Sequence, residues 1–341
     1  MKNWPKVSIV IPTRGIRGDK FLDSEFYIKK CLDSVFKQDY PKEKIEVLIV
    51  DGESTDRTLE IARKYPVRIF NNPQKLAEPA KTLGFKHATG DLFFYLDSDA
   101  ELVSKQWLKK LTQPFMDDSD IAGSFTRYYP NKRQTAFNRY VSFDPLQLWP
   151  MLSFLLPSIE GVIVKKGKTF DSVKINPKRT IPVGMCLYRK RYLNKVITNP
   201  DTFNYVDIAI PLQLAELGFD KFAYVVDAGM YHRRSNLWRE VKRQKRDVTV
   251  TYLPVLGQRK FNYIDFNKKG DLLKIVLWVL WANLLIPGLV VGLYKTIKYR
   301  DWAGMYELPT NFILTNYVIY LFVSDRKGKE LLKKTIFSFL K

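Results

Sequence analysis

Cysteine is scarce: the 341-residue chain has two, Cys31 and Cys186. Two thiols make neither a disulfide framework nor a cysteine metal cluster, which points to a reducing compartment. No internal repeat or low-complexity tract is present. No glycine-rich phosphate loop follows the first apolar strand, VSIVI, which speaks against nucleotidyl transfer on a phosphate-cradling loop. The opening MKNWPKVSIVIPT has too short an apolar run for a signal peptide, and Pro5 and Pro12 bracket it like a strand. Acid is also in short supply, at 35 acidic against 56 basic residues, a net charge of +21. That balance favours anionic partners: nucleic acid, phosphorylated small molecules or an acidic membrane surface. Nucleic acid fits least, because no reading motif is recognisable and a hydrophobic C-terminal stretch suits it poorly.

Apolar residues make up 46% of the chain, ample for a core in one large domain or two smaller ones. The first half alternates in period. Continuous apolar strands are expected at Val7–Ile11, Glu46–Val50, Val67–Phe70 and Leu92–Leu96. Helical spacing is expected between them, at Tyr27–Phe36, Asp56–Tyr65 and from about Pro79 to Gly90. Such alternation predicts a mainly parallel sheet with helices on both faces. Ligands in such sheets bind beyond the carboxyl ends of the strands. Three of those ends carry turn or acid signals: Pro12-Thr13-Arg14, Asp51-Gly52 and Asp97-Ser98-Asp99. Further on, a helix is expected over Ser104–Met116, strands near Ile121–Thr126, Pro182–Lys190 and Phe222–Asp227, and helices over Val206–Leu217 and Ser235–Thr249.

The stretch FFYLDSDAEL ends a buried strand in two aspartates one residue apart. Like charges so close repel, so the pair either holds a cation or forms a solvated turn. Its neighbours bear on the choice. VSIVIPT, SVFKQDYP, EVLIVDGESTDRT and AKTLGFKHATGDLFFYLDSDAEL, in that order, resemble successive blocks of the family 2 glycosyltransferases of the GT-A fold. The resemblance covers roughly residues 6–250 and is strongest over the first hundred. It implies a nucleotide-diphosphate sugar donor, UDP- or GDP-linked, and a divalent metal, Mg2+ or Mn2+, to neutralise the pyrophosphate. Asp99 would be the direct metal ligand, with Asp97 shared between metal and ribose and Ser98 on the nucleotide side. Asp51 would accept from the base, opposite a wall of Pro12, Thr13 and Arg14. Lys81 stands where the family often has arginine; it keeps the charge without the planar fork, so a phosphate role is weakened. Asp207 would be the base that takes the acceptor's proton, although Val206 replaces the glutamate usual before it, with a helix cap as the lesser alternative. His232 matches a position where family members often carry a histidine that reaches the metal or diphosphate. Gln244-Lys245-Arg246-Asp247 breaks the Gln-x-x-Arg-Trp box of cellulose-synthase-like members and argues against a processive polymerase.

Leu272–Leu293 is an apolar run long enough for a membrane span, with a buried core helix as the bland alternative and a re-entrant hairpin bent at Pro287-Gly288 as a further one. Phe312–Val323 is a shorter second run. The basic tract Arg233, Arg234, Arg239, Lys242, Arg243, Lys245 and Arg246 is either a solvated helix face or a surface for anionic lipid. The expected organisation is a catalytic domain over 1–253, with a nucleotide-binding half (1–103) and an acceptor half (104–253). A linker follows at 254–271, then membrane segments at 272–323 and a basic tail at 324–341. The functional expectation is an inverting, metal-dependent transferase. It would act at the cell membrane with its catalytic domain facing the cytoplasm, on a lipid-linked acceptor. The alternative is a degenerate member serving as a membrane scaffold.

Overall fold

The computed structural model describes residues 3–19, 23–178, 180–203, 205, 207–233, 236–255, 264–265 and 268–340. Val206 and Arg234, and much of the expected linker, lie outside them. The chain packs as two compact units: residues 1–129 with 159–233, and residues 130–158 with 234–341. Residues 130–158 and 234–253, grouped by sequence with the catalytic domain, pack in the second unit.

The first unit is built on a ten-stranded sheet. Its strands are β1 Val7–Thr13, β2 Ile45–Asp51, β3 Arg68–Asn71, β4 Leu92–Tyr95, β5 Ala100–Leu102, β6 Gly123–Tyr128, β7 Ile163–Lys165, β8 Asp171–Lys174, β9 Leu187–Arg189 and β10 Lys221–His232. Their order is β3-β2-β1-β4-β9-β6-β10-β8-β7, with β5 on β10. The apolar strands of the first half pair in parallel, as their two-sided hydrophobicity requires. Beyond β4 the sheet is mixed, because β9 runs antiparallel to both β4 and β6. Parallel register sets Thr13 beside Asp51 and Val10 beside Tyr95, so the loops after β1, β2 and β4 leave the sheet at one edge.

Helices at Ser24–Phe36, Ala77–His87 and Trp107–Asp117 bury one face each; Ile28, Cys31, Leu32 and Val35 line the first and Trp107, Leu108, Leu111 and Phe115 the third. Ala77–His87 comes very close to β1 at Gly84, where a Cβ would lie 2.2 Å from Val10 Cγ1.

The second unit is helical, with helices at Ala136–Val141, Pro150–Leu155, Leu237–Arg246, Lys269–Asn283, Ile286–Tyr299, Glu307–Ser324 and Arg326–Leu340. One apolar cluster joins Phe137, Tyr140, Val141, Phe143 and Ala303, and Phe143 stacks on Tyr299 at 4.1 Å. Arg139 grips Asp301 with two nitrogens, at 2.6 and 2.9 Å. Glu307 is buried and satisfied: it accepts from Tyr140 Oη, Lys295 Nζ and Asn311 Nδ2.

The run Leu272–Leu293 is not one helix. It breaks between Lys269–Asn283 and Ile286–Tyr299, which meet at 78°. Leu285 takes a left-handed φ of 62° at the break, and Pro287 sits in the first turn of the second helix, where its missing N–H costs nothing. No single helix among the described residues is long and apolar enough to cross a membrane; this bent pair passes by length and composition.

Candidate active site

The site forms where the first unit's strands end. Asp51 closes β2 and is 4% exposed. Its carboxylate is already oriented, since Oδ2 accepts from Ser54 N at 2.9 Å and Oδ1 from Ser54 Oγ. Ser54 Oγ in turn accepts from Gly15 N at 2.8 Å, and Gly52 N donates to Thr13 O at 2.8 Å. These bonds lace the β1 and β2 loops together, so Thr13 is buried while Arg14 is exposed beside them. Pro12 lies next to Thr13 in the same strand.

After β4 the chain turns tightly through Asp97-Ser98-Asp99, with Ala100 N donating to Asp97 O at 2.9 Å. Asp97 is held from behind: its N–H donates to Met185 Sδ at 3.3 Å and its carbonyl accepts from the Cys31 thiol. Burial, followed by the charges of Asp99 and Asp97, pushes the Cys31 thiol well up, so it stays protonated. β5 then pairs with the end of β10, putting Ala100 opposite His232. That pairing carries His232 Nε2 to 3.5 Å from both Asp97 Oδ2 and Asp99 Oδ1. The three donor atoms lie within 4.8 Å of one another. Two carboxylates and an imidazole, partly exposed, suit a hard or borderline divalent cation. A long strand reaches this point through a bulge: β10 is irregular between Val225 and Met230, where Gly229 has a φ of 65°.

Asp207 does not cap the following helix. Ala209–Glu216 begins two residues later with no side-chain cap. Its carboxylate instead meets Lys81, whose Nζ donates to Oδ1 at 2.7 Å and Oδ2 at 2.9 Å. The same ammonium lies 4.0 Å from the centre of the Tyr95 ring. Burial disfavours the Lys81 cation, but the Asp207 and Asp97 carboxylates outweigh it and hold its pKa above the usual value. At Asp207 burial pushes the carboxyl up, against the pull of Lys81 and the Tyr95 hydroxyl. The sequence leaves Lys81 only a weakened phosphate role; here its ammonium donates to Asp207.

The structure thus brings Asp97, Asp99 and His232 together, and separately Lys81 with Asp207. The basic tract divides: Arg233 covers the Tyr27 ring at 4.4 Å in the first unit, while the helix Leu237–Arg246 in the second ties Arg243 to Glu240 and Arg246 to Asp247. Sequence reading missed Met185, Tyr95 and Tyr205, which support these groups. Met185 gave no signal, because a thioether behind a backbone N–H has no motif.

Residues 8–197, more than half of the chain, match a family model described as glycosyl transferase family 2. A Methanococcus voltae protein named a dolichyl N-acetyl-glucosaminyl phosphate diacetamido-dideoxy-glucuronosyltransferase is 38% identical over 101 residues, 28% of this chain and 29% of that one. Glycosyltransferase AglE of Haloferax volcanii is 33% identical over 157 residues, 44% of this chain and 48% of that one. Pyrococcus furiosus dolichol-phosphate mannosyltransferase is 27% identical over 211 residues, covering 58% and 56%. The chain therefore spans about half or less of the length of the first two and little more of the third. Among solved structures, a Pyrobaculum calidifontis mannosyltransferase in complex with GDP-Man and Mn2+ superposes with a TM-score of 0.53 at 16% identity, covering 92% of this chain and 90% of that one. At that identity the likeness is one of fold.

Proposed function

The chain belongs to glycosyl transferase family 2, and from that premise we propose that it moves a hexose from a nucleoside-diphosphate sugar to a lipid-linked acceptor with inversion at the anomeric carbon. The observation that carries this reading is the Asp97, Asp99 and His232 constellation, at the same sheet edge as the buried Asp51. A divalent cation, Mg2+ or Mn2+, would be held by Asp97, Asp99 and His232 and would neutralise the donor's diphosphate. The mannosyltransferase of similar fold is in complex with GDP-Man and Mn2+.

The chain's own residues account for the remaining steps. Asp51 accepts from the nucleotide base through lone pairs that Ser54 leaves open, and Pro12, Thr13 and Arg14 form the facing wall. Asp97 and Ser98 lie on the ribose side. Asp207 takes the acceptor hydroxyl's proton as the acceptor oxygen bonds to the anomeric carbon. The bond from that carbon to the diphosphate oxygen breaks, and the nucleoside diphosphate leaves. A single displacement inverts configuration. Where the acceptor is already a phosphate, Asp207 orients it instead.

The lipid side of the reading rests on the second unit. That unit has a cavity of about 620 Å³ lined by Tyr140, Phe143, Leu148, Phe154, Leu277 and Trp278 among others. Its bent apolar pair exposes Leu280, Leu284, Ile286 and Val290. Two relatives bear names that specify dolichyl or dolichol phosphate acceptors. We place the protein at the cell membrane, with its catalytic unit on the cytoplasmic side, and anionic lipids as its surface.

The test is a panel of UDP- and GDP-sugars with Mn2+ or Mg2+ and membrane lipid extract. One donor should be consumed only with metal and lipid. Chelation should stop transfer and restored Mn2+ recover it; Asp99→Ala should lower turnover by at least about 100-fold. Failure of every donor to be bound or consumed would sink the reading in favour of a scaffold.

A further inference from the structure

We propose that Lys81 is a positioning residue: it clamps Asp207 in the orientation that transfer requires, and is not a ligand of the donor's diphosphate. The inference rests on the transferase reading above and deepens it. Two geometric facts support it. An ammonium has three N–H groups, and here two are directed to the two oxygens of one carboxylate, at 2.7 and 2.9 Å, with the Tyr95 ring face at 4.0 Å. Lys81 is also 5% exposed, so it cannot swing to a ligand without giving up both oxygens of Asp207 and leaving a buried ammonium unpaired on the way.

The surrounding chain is arranged to the same end. The helix Ala77–His87 holds the segment before Ala209 at three points. Lys81 grips Asp207, Thr82 Oγ1 shares its one hydrogen between Glu78 O at 3.1 Å and Phe203 O at 3.2 Å, and Lys86 pairs with Asp201 at 2.7 Å. Tyr205 packs edge-on against Tyr95 at 5.7 Å, and the Lys81 ammonium lies 6.0 Å from its ring centre. The helix packs against β1, and Tyr95 is the last residue of β4, so the clamp is referenced to the sheet whose edge carries Asp51 and Asp97. The chemistry is consistent: by donating to both carboxylate oxygens, the ammonium fixes the direction of the lone pairs that Asp207 has left.

The experiment uses the full chain, the donor identified by the panel, and Mn2+. It measures nucleoside diphosphate affinity by calorimetry, and kcat and KM, for wild type, Lys81→Met, Lys81→Arg, Asp207→Asn and the Lys81→Met/Asp207→Asn double variant. The clamp predicts that Lys81→Met keeps nucleoside diphosphate affinity within about 2-fold while kcat falls about 100-fold, the scale of general-base catalysis. Lys81→Arg should recover part of kcat. On the Asp207→Asn background, Lys81→Met should cost less than about 3-fold, because residues acting as a unit are non-additive. Affinity weakened tenfold or more with kcat retained, or two single effects that multiply, would overturn the clamp and make Lys81 a diphosphate ligand. Should Lys81→Met alone lose its fold, the double variant decides, because it leaves no buried charge unpaired. Wild-type affinity there supports the clamp, and a tenfold loss overturns it. A wild type that neither binds nucleoside diphosphate nor consumes donor removes the transferase reading and the clamp together, an outcome distinct from failure of the clamp alone.

Discussion

Ser54 does two jobs with one hydroxyl, donating to Asp51 and accepting from Gly15 N. Ser54→Ala removes both bonds and leaves Asp51 short of a partner in a buried place. The expected cost is about 1–3 kcal/mol in urea denaturation, with a several-fold loss of nucleotide affinity in calorimetry. An unchanged affinity would separate Asp51 from nucleotide binding. His232 illustrates a different economy. It lies far along the chain from Asp97 and reaches it only because β5 and β10 pair with Ala100 opposite His232. A histidine after a strand was recognisable in sequence, but its metal-ligating distance to two aspartates was not, since register between distant strands is a tertiary property.

At the scale of elements, the helix Ala77–His87 depends on a missing side chain. A Cβ at Gly84 would lie 2.2 Å from Val10 Cγ1, so Gly84→Ala must push the helix off β1 or displace Val10. Overpacking of this kind costs about 1–3 kcal/mol, and thermal unfolding should show a lowered midpoint despite alanine's better helix propensity. A second device joins β1, β2, β3 and the turn before β4. Glu46 accepts from Ser8 Oγ, from Thr89 N and Oγ1, and from Arg68 Nη1. Burial alone would raise its pKa, but these bonds outweigh burial and hold it below the ordinary value of 4.5. A carboxyl depressed in the folded state contributes stability above its unfolded pKa and loses it as pH falls through the folded value. Glu46→Gln should therefore lower stability at pH 7, and the gap to wild type should close as pH drops below about 4.5. A gap constant from pH 7 to pH 3 would show that Glu46 acts through packing alone.

At the scale of the molecule, a net charge of +21 accompanies an exposed apolar bend around Leu284 and Ile286. Ile286 is 71% exposed, an unfavourable place for isoleucine in water. Vesicle flotation should show binding to phosphatidylglycerol vesicles that exceeds binding to phosphatidylcholine and weakens with salt. Ile286→Asp should cut vesicle partition by about 100-fold, given about 3 kcal/mol for a charge in hydrocarbon. Equal partition of that variant would mean that the bend stays out of the bilayer.

The sequence by itself determined the parallel first half of the sheet, the three strand ends that carry Thr13, Asp51 and Asp97, and the family. Each follows from local periodicity and from motifs read in order, and buried parallel strands need continuous apolar runs. Tertiary structure decided that Lys81 faces Asp207, that His232 comes within 3.5 Å of both aspartates, that residues 130–158 pack with the C-terminal helices, and where and how sharply Leu272–Leu293 bends. The reason is the same in each case. Which distant donor meets which acceptor depends on strand register, helix seating and a single positive φ at Leu285, and none of these is written in the spacing of residues along the chain.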